Sequence, residues 1–373
     1  MGGRAGERAS AAPSVSEEKT MPAFWTEPDF DDHESVTVVR DRASGLTAIF
    51  AIHSTHLGPA AGGTRFWHYA DPALAMRDAL RLSRGMSYKN AMAELPMGGG
   101  KAVILADAKS RKTPEMLAAF GDAVEALGGR YVTAEDVGIS LADMVAVAKR
   151  TRHVSGLPAE GSSAGGDPGP FTAMGIYHGI KAAVAHKLGK DSVHGVRVAV
   201  QGTGSVGGGV ARLLHRDGAW LTLADVNDDR ARTLGKELDA DVVAPDAIMS
   251  VSCDVFSPNA LGAILDDAGI ARLDCAVVAG GANNQLARPE HGVALAQRGI
   301  LYAPDYVINA GGIISVTLEH LARQNGAHCD INEVRKRLAQ IPDRLLAIWR
   351  ESEATAVSAD VVADRMAQKL IGR

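Results

Sequence analysis

Cysteine is scarce in this sequence. Only three cysteines, Cys253, Cys275 and Cys329, occur among 373 residues, and they form neither a CxxC pair nor a spacing typical of zinc ligands. A disulfide-stabilised scaffold and a structural zinc site are therefore both disfavoured. We interpret the three side chains as reduced thiols of a cytoplasmic protein. The sequence also lacks a metal motif such as HExxH, so no metal is expected.

Long apolar runs are missing as well. No stretch of about 18 apolar residues occurs, so no transmembrane helix is predicted. Residues 1–20 are small and polar and lack the apolar centre of a signal peptide. We interpret them as a disordered tail without a function, and Met21 is an alternative start.

Neither sign of charge dominates. Lys and Arg number 39 and Asp and Glu number 44, which gives a net charge of −5. This balance predicts association with neither nucleic acid nor membranes. Hydrophobic residues make up 46% and charged residues 22% of the chain, as is typical of a soluble globular protein with a full core. The length favours two domains.

The first half of the chain has the pattern of a mixed α/β domain. Apolar residues recur at helical spacing in some stretches and alternate in others. Thr113 followed by Pro114 is typical of a helix start. The predicted elements are a hairpin (37–42 and 46–54), helices (71–95, 113–129 and 141–150) and strands (101–107 and 130–138).

The second half begins with a Gly-, Ser- and Pro-rich segment at 156–170, which is typical of a hinge or an active-site loop. A helix is predicted over 171–189, and short apolar strands then alternate with helices to about residue 320. This rhythm predicts a parallel, doubly wound sheet. Two C-terminal helices, 332–349 and 359–370, are expected to pack back on the first domain.

The strongest motif is the sequence VRVAVQGTGSVGGGVARLL, in which Gly202, Gly204 and Gly207 satisfy GxGxxG. An apolar strand precedes the motif and a helix follows it, which is the context of a dinucleotide-binding site. The first glycine permits the tight turn, the second leaves room for a pyrophosphate, and the third lets helix and strand approach. The helix N-terminus then attracts the pyrophosphate.

An acidic residue ends the next predicted strand. Asp225 follows the sequence WLTLA and can hydrogen-bond the ribose hydroxyls of NAD, whereas it would repel the 2′-phosphate of NADP. Arg230 and Arg232 lie just beyond Asp225 and would instead favour the 2′-phosphate of NADP. On balance the sequence predicts a Rossmann domain that binds NAD. We expect an N-terminal substrate domain over 21–155, to which 340–373 return, and the NAD-binding domain over 156–339.

Two lysines and an aspartate in the first half are candidates for chemistry. Lys89 lies in an otherwise apolar helical stretch, where it either reaches solvent or binds an anion. Lys101 follows three glycines and opens an apolar strand, so we expect a ligand to approach it closely and burial to lower its pKa. Asp136 ends a strand beside Gly138, and its alternative role is to cap the loop.

The chain resembles the Glu/Leu/Phe/Val dehydrogenase family from about residue 30 to about residue 325. The leucine, valine and phenylalanine members are the most similar. A cleft between substrate and Rossmann domains is what the resemblance implies, together with oxidative deamination of an amino acid. The segments that carry the resemblance are LGPAAGGTR, RGMSYKNA, PMGGGK, YVTAEDVG, GDPGPFTAMG, AVQGTGSVG, CDVFSPNALG, VVAGGANNQL and ILYAPDYVINAGG.

The resemblance also implies roles for individual residues. Lys89 and the backbone of Gly63 should hold the substrate carboxylate. Lys101 should be the general base, and Asp136 should contact the substrate amine and tune Lys101. Asn283 should contact the amine near the nicotinamide.

The expected cofactor site extends beyond the glycine motif. Thr172 should orient the nicotinamide carboxamide, and Ser205, Val206, Ala260 and Asn283 complete the expected contacts. The family's wording CDVFAPCALG is CDVFSPNALG in this chain. The polar residues Ser257 and Asn259 therefore lie at the expected cofactor edge.

The residues expected to line the side-chain pocket are all apolar, which argues against glutamate as the substrate. They are Ala61, Ala134, Ile313 and Val316. Ala61 enlarges the pocket as in phenylalanine enzymes, whereas Ile313 shrinks it. We predict a branched-chain substrate, leucine or valine, with phenylalanine as the alternative. Because one methylene changes binding in an apolar pocket only modestly, the pocket is also compatible with broad specificity.

The residues alone leave two alternative functions to consider. A hydroxy-acid dehydrogenase would need a His–carboxylate relay, and the twelve histidines show no such placement. An NAD-binding regulatory protein would not need Lys89 and Lys101. The family resemblance implies a homo-oligomer built from dimers, with an octamer as one form.

Overall fold

The computed structural model describes residues 24–106, 111–158 and 167–373. The predicted tail at 1–20 lies outside these ranges, as does part of the segment at 156–170. Two β-sheets flanked by helices make up the fold. Short 3-10 helices lie at Phe24–Thr26 and Ile248–Ser250. None of the helices among the described residues is both long and apolar enough to cross a membrane.

The first sheet is mixed. Its strands are β1 (Ser35–Asp41), β2 (Leu46–Ser54), β3 (Ala60–His68), β4 (Gly98–Ala106) and β5 (Tyr131–Glu135), in the order β1-β2-β4-β3-β5. β1, β2 and β4 pair antiparallel, and β3 runs parallel to both β4 and β5. The hairpin prediction is confirmed. β3 was not predicted, because Gly62 and Gly63 weaken its strand pattern.

Three helices cover this sheet: α1 (Pro72–Met92), α2 (Pro114–Ala126) and α3 (Leu141–Val147). The predicted start of α2 is confirmed, since the Thr113 side chain accepts a hydrogen bond from the backbone N–H of Met116. Under α2, the Phe50 ring stacks on that of Phe120 with centroids 5.4 Å apart. Such aromatic packing fixes α2 on one face, while α1 packs against β2 and β4.

The second sheet is wholly parallel, which confirms the doubly wound prediction. Its strands are β6 (Arg197–Gln201), β7 (Trp220–Ala224), β8 (Asp241–Val242), β9 (Val255–Pro258), β10 (Val277–Val278) and β11 (Leu301–Tyr302). The order β11-β10-β9-β6-β7-β8 reverses between β6 and β9. A crevice forms at the carboxyl ends of the two strands where such an order reverses.

Helices pack on both faces of the second sheet. They are α4 (Gly169–Leu188), α5 (Ser205–Arg216), α6 (Asp228–Leu238), α7 (Asp267–Arg272), α8 (Glu290–Gln297), α9 (Asp305–Ile308) and α10 (Gly311–Gln324). α4 contacts both α5 and α10, and α9 contacts α1 of the first half. α9 therefore lies where the two halves of the chain meet.

The C-terminal prediction is partly wrong. One helix was predicted over 332–349, but the structure has α11 (Ile331–Leu338) and α12 (Ile341–Thr355), followed by α13 (Ala359–Leu370). Pro342 lies in the first turn of α12, where its missing N–H is tolerated, and it prevents a continuous helix. α13 packs against α1, so the chain returns to the first domain as predicted, whereas α12 packs on α4. The exact domain boundaries stay predictions.

Candidate active site

A cavity of about 480 Å³ lies between the two sheets. It is of a size suited to a small ligand. Side chains and loops from both halves of the chain line it. The residues that the sequence predicted and that meet here are Ala61, Gly63, Lys89, Lys101, Ala134, Asp136, Thr172, Val206, Asn283, Ile313 and Val316. The remaining predicted residues do not line this cavity. They are Gly202, Gly204, Ser205, Gly207, Asp225 and Ala260.

Lys101 and Asp136 form an ion pair in this cavity. Lys101 on β4 is buried, and its Nζ lies 2.5 Å from Oδ2 of Asp136, which directly follows β5. Burial lowers the pKa of Lys101, and the Asp136 carboxylate opposes that shift. Burial also works against the ionised form of Asp136, but Lys101 and Arg65 outweigh it and lower the pKa of Asp136. The arrangement thus joins an amine whose pKa is lowered to a carboxylate whose pKa is also lowered.

The three glycines before Lys101 have a different role from the one expected. A Cβ added to Gly98 would lie 1.9 Å from the Ser54 carbonyl oxygen, and one on Gly99 would lie 2.0 Å from the backbone nitrogen of Ser87. A Cβ on Gly100 would meet the Tyr131 ring at 2.8 Å. Protein atoms therefore fill the space beside the glycines in which the sequence predicted a ligand. The glycines let β2, α1 and β5 pack tightly on β4.

Lys89 lies on α1 and contributes a second amine to the cavity. Burial lowers the pKa of Lys89 to about 8, while Asp305 raises it and Lys101 lowers it. Asp305 lies at the start of α9, and its carboxylate accepts a hydrogen bond from the backbone N–H of Gln285 at 2.8 Å. Burial raises the pKa of Asp305. Lys89 is therefore cationic near neutral pH and suited to an anion.

Asn283 is held by a neighbour that the sequence reading missed. The Asn309 Nδ2 donates to Asn283 Oδ1 at 2.8 Å and to the Gly281 carbonyl at 3.1 Å. This contact fixes the orientation of the Asn283 amide. Asn309 belongs to the quoted segment ILYAPDYVINAGG, which is the one signal that could have found it. Thr172 also lines the cavity, and its hydroxyl donates to the Pro168 carbonyl at 3.0 Å.

The glycine motif forms the turn between β6 and α5. Gly202 has φ 86°, which favours glycine, and a Cβ on Gly207 would lie 1.9 Å from the Gly202 carbonyl oxygen. Gly204 is the N-cap of α5, and no side chain caps that helix. Its first backbone N–H groups therefore remain available to an anion such as a pyrophosphate. Ala260 closes the turn, 2.9 Å from the position of a Gly202 Cβ.

Asp225 follows β7 beside this turn. Its Oδ2 accepts hydrogen bonds from the backbone N–H and the hydroxyl of Thr203, at 2.7 and 3.0 Å, and its Oδ1 accepts from the Asn227 N–H at 2.8 Å. Burial raises the pKa of Asp225, but these hydrogen bonds outweigh it and lower the pKa. An ionised carboxylate is thus held beside the glycine turn. Arg230 lies 3.6 Å from it, whereas Arg232 pairs with Asp228.

Other cofactor-edge residues have defined partners. Asn259 Nδ2 donates to the carbonyl and hydroxyl oxygens of Ser257, at 2.9 and 3.0 Å, and its Oδ1 accepts from the Gly281 N–H at 2.9 Å. The two polar residues therefore join β9 to the loop after β10. Ser205 donates to Asp167 at 3.2 Å, and Val206 faces the cavity. A glycine turn, an uncapped helix and an acidic residue together fit a dinucleotide.

Known protein families match both halves of the chain. A sequence model of the Glu/Leu/Phe/Val dehydrogenase dimerisation domain matches residues 33–153. A model of the Glutamate/Leucine/Phenylalanine/Valine dehydrogenase family matches residues 223–371. Together these matches cover most of the chain, including β3, β4 and β5 of the first sheet.

Individual relatives are similar over nearly the whole length. A leucine dehydrogenase of Thermoactinomyces intermedius is 46% identical over 341 residues, which cover 91% of this chain and 91% of that protein. A valine dehydrogenase of Streptomyces albus is 45% identical over 345 residues, covering 91% of this chain and 93% of that protein. The two are almost equally similar.

Solved structures share the architecture. An L-tryptophan dehydrogenase from Nostoc punctiforme superposes with a TM-score of 0.80 at 40% identity, covering 91% of this chain and 96% of its own. A hetero-hexameric glutamate dehydrogenase from Thermus thermophilus has a TM-score of 0.73 at 22% identity, covering 91% of this chain and 88% of its own. The second likeness concerns the fold alone.

Proposed function

We propose that this chain, which belongs to the Glu/Leu/Phe/Val dehydrogenase family, catalyses the reversible NAD-dependent deamination of a branched-chain L-amino acid to its 2-oxo acid and ammonia. Family membership makes it an amino-acid dehydrogenase, an oxidoreductase that acts on a CH–NH₂ group. The observation that carries the finer proposal is the buried Lys101–Asp136 pair, in one cavity with Lys89 and beside a dinucleotide turn.

Substrate binding begins with the carboxylate. Lys89 provides a cation inside the cavity, and the backbone of Gly63 on β3 provides a second contact. With a pKa of about 8, the Lys89 amine is mostly protonated at neutral pH and attracts an anion. The substrate then presents its Cα and amine to Asp136 and Asn283, whose amide is fixed by Asn309.

Lys101 is the general base of the proposed reaction. A bound NAD would supply the hydride acceptor for Cα, and the substrate would then present an iminium carbon beside the carboxylate that Lys89 holds. Lys101, as the neutral amine, removes a proton from the water whose oxygen attacks that carbon. Asp136 stabilises the charge that Lys101 acquires, and the proton taken from water is relayed from Lys101 through Asp136 to the amine. The Lys101 amine, neutral again, then takes the remaining hydroxyl proton as the C–N bond breaks, which gives the 2-oxo acid and ammonia. General-base help of this kind contributes about 10²–10⁴-fold in rate.

The proposed cofactor residues are those of the turn after β6 and the carboxylate after β7. Gly202, Gly204, Ser205 and Gly207 would bring the free N–H groups at the start of α5 to a bound pyrophosphate. Asp225 favours the unphosphorylated ribose of NAD, because its carboxylate repels a 2′-phosphate.

Thr172, Val206, Asn283 and Ala260 would surround the nicotinamide end. Of these residues, Thr172, Val206 and Asn283 line the cavity that holds Lys101. A nicotinamide bound there would therefore lie beside the proposed base. That proximity would support direct hydride transfer from the substrate Cα to the nicotinamide.

The apolar side of the cavity supports a branched-chain substrate. Ala61, Ala134, Ile313 and Val316 line it and offer no partner for a distal carboxylate. Phenylalanine is the second candidate, because Ala61 leaves more room than a larger side chain would. The similarity to leucine and valine dehydrogenases favours the first choice.

A match to a dimerisation domain supports self-association. We infer a dimer-based homo-oligomer for this chain, with an octamer as one form. Mass measurement by light scattering tests it, and a monomer across a range of concentrations would contradict it.

The functional proposal is tested by following NADH formation with a panel of L-amino acids. We expect the highest kcat/KM with leucine or valine, a lower value with phenylalanine and none with glutamate. NADP in place of NAD should support a much lower rate. A glutamate preference, or no NADH with any amino acid, would contradict the proposal.

A further inference from the structure

Arg65 is a third charged residue at the catalytic pair. It lies on β3, two residues beyond Gly63, and lines the same cavity. Its Nε donates to Oδ2 of Asp136 at 3.3 Å, the same oxygen that the Lys101 amine contacts at 2.5 Å. One carboxylate oxygen thus accepts from two cations on different strands.

The other side of the Arg65 guanidinium is also held. Its second nitrogen donates to Oδ2 of Asp78 on α1 at 2.7 Å. The Tyr69 hydroxyl donates to that oxygen at 2.8 Å, and Arg81 donates to the second Asp78 oxygen at 3.1 Å. A chain of contacts therefore runs from α1 through β3 to the residue after β5.

We propose that Arg65 is a positioning residue for the deamination, which holds Asp136 against Lys101 and is itself held by Asp78. This inference rests on the proposed function. A planar guanidinium can contact two carboxylates from different nitrogens at fixed angles, whereas a lysine amine is a single point of charge. Arginine at this position thus fixes where the Asp136 carboxylate lies relative to the proposed base.

The charges around the Lys101 amine shift its pKa in opposite directions. Burial lowers the pKa of Lys101, Asp136 raises it, the permanent charge of Arg65 lowers it and Asp78 raises it. The charged groups that line the cavity around the pair or act on its amine are Arg65 on β3, Glu135 on β5, Asp78 and Lys89 on α1, and Asp305 at the start of α9. Removing Arg65 should therefore make Lys101 harder to deprotonate, and removing Asp78 should make it easier.

The test compares Arg65→Gln and Asp78→Asn with wild type in the pH profile of kcat/KM for L-leucine. Because Lys101 must be neutral to act as the base, its protonation sets the acid limb of that profile. We expect Arg65→Gln to move the limb to higher pH by roughly one unit, the size of shift that a nearby charge produces. Asp78→Asn should move it to lower pH. Damage to the fold alone would lower the rate without opposite shifts.

Two further variants separate charge from geometry. Arg65→Lys keeps the positive charge, so the limb should stay near its wild-type position, while kcat falls because an ammonium lacks the two separate nitrogens that hold Asp136 and Asp78 at fixed angles. Arg81→Gln is the matched control, since Arg81 contacts Asp78 but not Asp136. We expect it to leave the acid limb in place.

A second readout does not depend on turnover. The acetylation rate of the Lys101 amine by acetic anhydride, followed by mass spectrometry as a function of pH, reports the pKa of that amine directly. Arg65→Gln should shift this labelling curve to higher pH and Arg81→Gln should not. Thermal unfolding shows whether each variant folds. If Arg65→Gln does not fold, the comparison is made with Arg65→Lys and Asp78→Asn.

The outcomes distinguish the two proposals. An active wild type whose acid limb and Lys101 labelling curve are the same in Arg65→Gln and Asp78→Asn would overturn the role of Arg65 and leave the deamination intact. A wild type that fails to form NADH with any L-amino acid would overturn the proposed function, and the role of Arg65 in deamination would fall with it. Opposite shifts in the two variants, with none in Arg81→Gln, support the inference.

Discussion

Gly63 and Asp136 are packed so closely that a Cβ on Gly63 would lie 2.8 Å from the Asp136 Cβ. β3 lies between β4 and β5, and its register with β4 brings Gly63 level with Lys101, since Ala61 pairs with Gly99 and Thr64 with Ala102. Lys101 and Asp136 therefore meet across a strand that has no side chain at that point. Glycine at position 63 therefore leaves the space in which the two side chains form their ion pair.

Gly63→Ala should consequently disable the enzyme. The new methyl group would also meet the Glu135 carbonyl oxygen at 2.7 Å, so the residue after β5 must move. A displacement of about 1 Å in a catalytic group costs about 10²-fold in rate, and we expect a fall of that order in kcat/KM. Overpacking should also destabilise the fold by about 1–3 kcal/mol. Steady-state kinetics and thermal unfolding measure both effects, and wild-type kinetics in a folded variant would refute the steric role.

Lys89 gives a pH prediction with a definite sign. Its pKa is lowered to about 8, so its positive charge is present below that pH and is lost as the pH rises through it. Binding of 4-methylpentanoate, a carboxylate without an amino group, should therefore weaken above about pH 8. The inhibition constant against L-leucine, measured from pH 6 to pH 10, reports this directly.

Lys89→Arg is the matched variant for that measurement. Arginine stays charged across the whole range, so the loss of binding at high pH should disappear even if affinity falls overall. A wild-type inhibition constant that does not change with pH would contradict the assignment of Lys89 as the carboxylate contact.

The sequence predicted those parts of the molecule that depend on local structure. The glycine turn with Gly202 and Gly207 was found because a strand, a tight turn and a helix must follow one another in the chain. Thr113 was found because a helix N-cap is local too. Both are recognisable without knowing what packs against them.

Long-range packing explains what the sequence did not predict. Arg65 and Asp136 are 71 residues apart, and no periodic pattern links them. Asp305 and Asn309 had no role assigned because their partners come from distant segments. The glycines before Lys101 were misread for the same reason, since the sequence cannot tell whether a ligand or α1 fills the space beside Gly99.

Asp225→Ala should weaken NAD binding by at least about tenfold and narrow the preference for NAD over NADP, because a hydrogen bond to a charged group contributes about 1.5–3 kcal/mol. The variant also loses the contacts to Thr203, so part of the effect comes from the turn itself. Asp228→Ala is the control, since it removes an exposed carboxylate that pairs with Arg232. Calorimetric titration with both cofactors measures the change. Equal NAD affinity in wild type and Asp225→Ala would refute the ribose assignment.

Ile313→Ala should shift the substrate preference toward phenylalanine. Ile313 lines the apolar side of the cavity, and its truncation leaves room for a larger side chain. One methylene in such a pocket changes discrimination by about 1–3 kcal/mol, so the ratio of kcat/KM for phenylalanine over leucine should rise tenfold or more. If the ratio is unchanged while the variant remains folded, Ile313 does not contact the substrate side chain.

The most direct measurement is the L-leucine-dependent formation of NADH by Lys101→Ala, with NAD binding measured on the same preparation. The account predicts a loss of kcat of about 10²–10⁴-fold or more, with NAD affinity retained, because the base is removed and the dinucleotide turn is not. Lys112→Ala, which removes a lysine paired with Asp143 outside the cavity, should keep the wild-type rate. Turnover by Lys101→Ala at the wild-type rate would contradict the mechanism at its centre.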